Sequence, residues 1–125
     1  MESVIDASML PVLTLGPEGS VAHIMHGLLH GFPGVSLMLA TLQPGEGPVL
    51  HRHPYDEAFV IGAGQVRFQI DGESRDACGG QLVLVPAGVE HAFANIGDQV
   101  LQMTAIHIAP RVEIEWLEQP WEGGG

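Results

Sequence analysis

Three histidines and one glutamate stand at spacings that could do chemistry. His51 and His53 are two residues apart in a short extended run, so both side chains leave the same face. Glu57 follows four residues after His53, across Pro54, Tyr55 and Asp56, and opens the next run. His91 comes 34 residues after Glu57, just past a turn at Pro86-Ala87-Gly88. A His-x-His pair on a strand can simply face solvent. Gathered inside a barrel, three imidazoles and one carboxylate form a site for a divalent transition metal. Imidazole nitrogen suits Fe, Ni, Cu, Co, Mn or Zn, and one carboxylate partly neutralises the dication. Four protein ligands leave a five- or six-coordinate ion with open positions, which catalysis requires.

The same residues belong to two longer patterns. Gly45, His51, His53, Glu57 and Gly64 fit Gly, five residues, His-x-His, three or four residues, Glu, six residues, Gly. Gly80, Pro86, Gly88, His91 and Asn95 fit Gly, five residues, Pro-x-Gly, two residues, His, three residues, Asn. These are the two motifs of the cupins, and the chain resembles that family over residues 45–95. The resemblance implies an all-β fold, the cupin double-stranded β-helix. This is a jelly-roll barrel or sandwich of six core strands with extra N- and C-terminal strands, commonly dimerised through sheet edges. It also implies that His51, His53, Glu57 and His91 ligate one divalent transition metal per chain (Fe, Mn, Ni, Co or Zn). Gly45 and Gly64 would end strands at turns, Pro86 and Gly88 would return His91 to the barrel mouth, and Asn95 would brace a turn.

The elements that must position these residues read as short strands. Extended runs are expected at 10–15, 35–42, 49–53, 58–61, 65–70, 82–85, 91–94 and 100–108, with a last edge strand or dimer arm at 112–117. In 65–70, Val66, Phe68 and Ile70 alternate with Gln65, Arg67 and Gln69, and Asp71-Gly72 then marks a hairpin turn. Residues 21–29 fit a strand or a short helix equally. One domain is expected: an N-terminal arm over 1–34 packed on the barrel, the barrel core over 35–110, and a C-terminal edge strand and tail over 111–125, frayed at 123–125.

Composition narrows the function. The 125 residues contain 17 Gly and 9 Pro, and 46% are apolar, enough for a core without disulfides. The formal charge is −11, with four Arg and no Lys. That argues against a nucleic-acid backbone or an anionic membrane as partner. The missing lysine removes Schiff-base chemistry. One cysteine, Cys78, forms no internal disulfide, and no apolar run reaches membrane-spanning length, so a cytoplasmic location is expected.

Phe59 shares the parity of Glu57 and Phe93 that of His91, so both are candidates for the pocket wall, with Tyr55 nearby. His23, His26, His30 and His107 match no motif and read as structural or solvated. Trp116 and Trp121 read as dimer contacts, and a homodimer is expected. The resemblance points first to a small metalloenzyme of dioxygenase type acting on an enol, diketone or flavonol-like molecule, with Glu57 as base. A metal-dependent isomerase, epimerase or cyclase that needs no O2, and a non-catalytic small-molecule binder, are the alternatives.

Overall fold

The computed structural model describes residues 2–123; of the expected frayed tail, Gly124 and Gly125 lie outside the described residues. Eleven strands form among the described residues: β1 (Val12–Thr14), β2 (Val21–Met25), β3 (Ser36–Leu42), β4 (His51–Arg52), β5 (Glu57–Ala63), β6 (Gln65–Ile70), β7 (Glu73–Cys78), β8 (Leu82–Val85), β9 (His91–Asn95), β10 (Leu101–His107) and β11 (Glu115–Trp116). The helical content among the described residues is two 3₁₀ turns, Ala7–Met9 and Gly27–His30. No described helix is long and apolar enough to cross a membrane.

The strands make two antiparallel sheets. The larger runs β1-β2-β3-β10-β5-β8 and the smaller β11-β4-β9-β6-β7. This is the all-β sandwich that the motifs imply. The inward residues follow from period-two alternation. On β10, Leu101, Met103, Ala105 and His107 are buried, while Gln102, Thr104 and Ile106 point out. On β5 the buried set is Glu57, Phe59 and Ile61. These meet Val66 and Phe68 of β6 and Leu42 of β3 in one apolar core. Phe59 and Phe68 pack edge to face at 4.9 Å, and each buried ring is worth roughly 2–3 kcal/mol from area alone.

Turn chemistry sets the register around this core. Asp71 and Gly72 both have positive φ, 50° and 79°, the conformation a two-residue hairpin loop needs between β6 and β7. Asn95 ties a turn from within: its Oδ1 accepts from the Gly97 N–H at 2.8 Å, and its Nδ2 donates to the carbonyls of Leu42 and Gln99.

Three elements differ from the sequence reading. Residues 21–29 are neither one strand nor one helix; β2 ends at Met25 and a 3₁₀ turn follows, closed by Gly31 in the left-handed region. The run expected at 49–53 keeps only His51–Arg52 as strand, because Pro48 and Pro54 bracket it and limit backbone pairing. β7 has no apolar alternation to announce it. It is an edge strand exposed almost throughout, so its polar residues cost nothing.

Candidate metal centre

Each sheet sends one cross-strand pair of titratable residues into the interior. In the five-stranded sheet, β4 and β9 pair with His51 opposite His91. In the six-stranded sheet, β5 and β10 pair with Glu57 opposite His107. His53 follows β4 and completes the cluster. All five side chains are buried, none more than 4% exposed.

The backbone fixes which nitrogen of each ring faces inward. His51 Nδ1 donates to the Val49 carbonyl at 2.7 Å, His91 Nδ1 to the Val89 carbonyl at 2.9 Å, and His53 Nδ1 to the Glu113 carbonyl at 2.6 Å. A carbonyl only accepts, so each Nδ1 carries the proton and each neutral ring turns an Nε2 lone pair inward. Outer partners of this kind orient metal-binding histidines.

The inner atoms then lack donors. Glu57 Oε1 lies 3.2 Å from His53 Nε2 and 3.1 Å from His91 Nε2. His53 Nε2 is buried without a hydrogen-bond partner. Lone pairs and a carboxylate packed this closely repel unless a cation sits among them. The ligating atoms of His51, His53 and His91 fall within 4.8 Å of one another, as do those of His53, Glu57 and His107. A nitrogen-rich set with one carboxylate suits a divalent transition metal.

The other side of Glu57 has its own support. Glu57 Oε2 is 2.9 Å from His107 Nε2. The Tyr55 hydroxyl lies 2.5 Å from His107 Nδ1 and accepts from the Glu113 N–H at 3.0 Å. Donation from Tyr55 to Nδ1 places the His107 proton on Nε2, toward the carboxylate. Tyr55 also stacks on His53, with centroids 5.1 Å apart and planes at 16°.

Electrostatics follow from these contacts. Burial, reinforced by the neighbouring His91, pushes the His51 pKa down to about 4, so this ring is neutral near pH 7. Burial also opposes charge on His53, but the adjoining Glu57 carboxylate outweighs it and the pKa rises. For Glu57, burial alone would favour the neutral acid. The three histidines around it, His107 foremost, overcome this and hold the group ionised well below the usual carboxylate range.

An apolar cavity of about 30 Å³ opens onto the cluster. Phe59, Phe93, Met38 and Met103 line it, Leu13 and Leu15 come from the N-terminal segment, and Ile114 and Trp116 from the C-terminal one. An outer cleft of about 110 Å³ shares Leu13, Leu15, Pro48 and Trp116 with it and reaches Trp121. The C-terminal segment is held by β11 on β4, by the bidentate Arg52–Glu115 ion pair and by the Leu117 N–H on the Leu50 carbonyl.

The structure thus brings together His51, His53, Glu57 and His91, and sets Phe59 and Phe93 along the cavity. Tyr55 is not on the cavity wall; it acts behind the site through His107. Sequence reasoning set His107 aside, yet it lies against Glu57. The signal was present, since His107 continues the inward series Leu101, Met103, Ala105 on β10. Trp116, read as a dimer contact, lies 5.2 Å from the His51 ring in the cavity. His23 and His30 stay outside the cluster, and His26 accepts from the Val112 N–H at 3.1 Å.

Comparison with known proteins bears on this geometry. Residues 38–107 match the family described as Cupin domain. Over 85 residues the chain is 35% identical to polyketide synthase CurC of Streptomyces cyaneus, covering 67% of this chain and 52% of that protein. It is 36% identical to protein SchB of Streptomyces halstedii over the same length, covering 67% and 58%. The chain therefore spans about half the length of these curated relatives. Among solved structures it resembles Bacillus subtilis oxalate decarboxylase, in work on that enzyme's Mn(II) centres, with a TM-score of 0.74 and 26% identity over 82% of this chain and 29% of the other. The same enzyme at pH 4.6 gives a TM-score of 0.74 at 25% identity, covering 84% and 29%. With both histidine motifs in register across two sheets and more than half its length matched, the chain belongs to the cupin family.

Proposed function

We propose that the chain is a mononuclear metalloenzyme acting on a small, enolisable, largely apolar molecule such as a diketone or polyketide-like enol. His51, His53 and His91 through Nε2, with Glu57 through Oε1, would hold one divalent transition metal. One observation carries the reading: three backbone carbonyls fix three Nδ1 protons, leaving three Nε2 lone pairs and one oxygen of Glu57, Oε1, facing inward without a donor. When bound, a divalent metal supplies positive charge that polarises a substrate carbonyl and, if redox-active, gives access to dioxygen chemistry.

The chain's own residues do the rest. Phe59, Phe93, Met38 and Trp116 exclude water and admit only one flat end of a substrate; the outer cleft between Trp116 and Trp121 takes the remainder. Glu57 is the one carboxylate lining the cavity and accepts the proton that the substrate loses. His107 and Tyr55 hold its far oxygen during that transfer.

The likeness to polyketide synthase CurC supports a polyketide-like substrate, on which an O2-independent isomerisation or cyclisation is the first reading. The three-imidazole, one-carboxylate donor set favours the second reading, a dioxygenase. Turnover of diketone, flavonol and polyketide-like substrates, assayed in air and under argon with Zn, Fe, Mn, Ni and Co, separates them. Activity with Zn under argon supports the first; activity that consumes O2 and fails with Zn supports the second. Tight small-molecule binding without turnover under any metal would make the chain a binder and sink both. The single thiol, Cys78, is exposed and unpaired, which supports a cytoplasmic setting. The working unit in this reading is a homodimer.

A further inference from the structure

The cavity over the metal cluster is small. At about 30 Å³ it has room for about two water molecules. Sites that bury a small organic molecule run to roughly 300–1,000 Å³. A wall must therefore move before a substrate reaches the cluster. Most of the wall is fixed. Met38, Phe59, Phe93 and Met103 stand on β3, β5, β9 and β10, each paired on both sides within a sheet. Leu13 and Leu15 stand on and beside β1, and Glu46 ties down the turn that follows. Its carboxylate accepts from the Ser20 hydroxyl at 2.5 Å and from the Glu18 N–H at 3.0 Å. Ile114 and Trp116 stand on the C-terminal segment, which joins its sheet through the two residue pairs of β11 with β4.

Three voids meet at that segment. Its residues alternate: Val112, Ile114 and Trp116 are half-buried, while Glu113 and Glu115 are exposed. Trp116 lines both the inner cavity and the outer cleft of about 110 Å³. Ile114 lines both the inner cavity and a second cleft of about 430 Å³ beside Pro54 and Gly88. His53 reaches the same two voids as Ile114. The second cleft is itself the size of a small-molecule site, and it shares a wall with the metal cluster.

We infer that residues 112–118 are a gate over the metal centre. Ile114 and Trp116 lift together, because one strand carries both, and the inner cavity then joins the clefts on either side. The gate rests on the reading that a small molecule must reach the metal. Its outer fastenings are few. The Val112 N–H donates to His26 Nδ1 at 3.1 Å, Arg52 and Glu115 make an exposed ion pair, and the Leu117 and Glu118 N–H groups donate to the Leu50 carbonyl at 3.0 and 3.3 Å. Exposed ion pairs hold weakly, and a segment so fastened opens more easily than the sheets beneath it. One fastening faces inward. The Glu113 carbonyl accepts the His53 Nδ1 proton at 2.6 Å, and the Glu113 N–H donates to the Tyr55 hydroxyl at 3.0 Å. Both bonds break when the gate lifts and re-form when it shuts. Closure over a bound molecule thus orients His53 and Tyr55 at the moment that Ile114 and Trp116 exclude water.

Hydrogen exchange and a reversible lock test the gate. In the intact chain, the amides of Val112, Glu113, Leu117 and Glu118 should exchange at least about a hundredfold faster than those of Met103 and Ala105 on β10. Arg52 and Glu115 are register partners with exposed side chains. The variant Arg52→Cys/Glu115→Cys, made together with Cys78→Ser, therefore places a disulfide across β4 and β11. In the cobalt-loaded variant, oxidation should slow removal of the metal by EDTA at least about tenfold, and reduction should restore the rate. Far-UV circular dichroism should not differ between the two forms. Exchange protection of the segment equal to that of β10 would overturn the gate. So would a locked form that loses cobalt as fast as the reduced one, because the segment would then fray without guarding the centre. Acetylacetone separates the gate from the proposed reaction. If it leaves the cobalt absorption spectrum of the reduced form unchanged while the lock still slows cobalt loss, the gate stands and the diketone reading falls.

Discussion

The five-stranded sheet sends the pair His51 and His91 into the interior, and the six-stranded sheet sends Glu57 and His107. The two pairs are anchored differently. His51 and His91 each donate to the carbonyl two residues earlier in the chain, Val49 and Val89, just ahead of their strands. The segment that leads into each strand sets the tautomer of its histidine. The Glu57–His107 pair depends on distant chain, since Tyr55 reaches His107 from the β4–β5 connection and is itself held by Glu113. Two of the three inward nitrogens are therefore oriented locally, while the third, on His53, leans on the Glu113 carbonyl of the C-terminal segment. The carboxylate side is held by a relay that includes the C-terminal segment.

That contrast ranks the expected effects of substitution. The largest belongs to the locally anchored nitrogens. His51→Ala or His91→Ala should lower metal affinity by more than about a hundredfold, beyond the loss typical of outer-partner changes. Isothermal titration with Zn or Co reads it directly. Wild-type affinity in either variant would show that the pair does not hold the ion. Glu57→Gln keeps the shape and removes the charge. It should abolish turnover while leaving weakened metal binding, because three imidazoles remain. Retained turnover would remove Glu57 from proton transfer.

The relay predicts intermediate effects. Tyr55→Phe deletes the hydroxyl partner of His107 Nδ1 and should cost about 1–3 kcal/mol of stability. It should also reduce metal affinity about tenfold, as should His107→Asn. Equal tenfold losses in the single variants and in the double variant would show that Tyr55 acts through His107. Additive losses would show that the stack on His53 carries its effect instead.

Acid sharpens the comparison through His51. Its pKa is about 4 in the folded chain against 6.5 in the unfolded one. Between those values the unfolded state binds more protons, so stability is full above pH 6.5 and falls as pH drops toward 4. The full window is worth about 3 kcal/mol. His53, whose pKa is raised, acts in the opposite sense: it stabilises below pH 6.5 and that contribution is lost as pH rises. Urea midpoints of the metal-free protein at pH 7 and pH 4.5 measure the balance. The variant His51→Gln should lose less stability on acidification than the wild type; an unchanged loss would acquit His51. The smallest effect is on the surface. Arg52→Ala breaks an exposed ion pair with Glu115 and should leave metal affinity unaltered.

Legibility in the sequence follows the same division. His51, His53, Glu57 and His91 sit at fixed spacings because the turns between their strands are short and carry Pro and Gly at set places. His107 lies 12 residues after Asn95 in a strand paired by long-range register, and no spacing announces it. Only its inward parity on β10 does. Trp116 reaches the cavity through a two-residue strand at a sheet edge, too short for alternation to be read. β7 is invisible for the opposite reason, having no buried face to imprint a pattern.

X-ray absorption on the metal-loaded chain tests the central claim most directly. Binding at His51, His53, Glu57 and His91 predicts one metal per chain, with three imidazole scatterers and one carboxylate oxygen at about 2.0–2.2 Å. In His51→Ala and in His91→Ala the imidazole count should fall by one in whatever metal remains. A full set of imidazoles in both variants, or a wild-type chain that takes up no divalent metal, would contradict it.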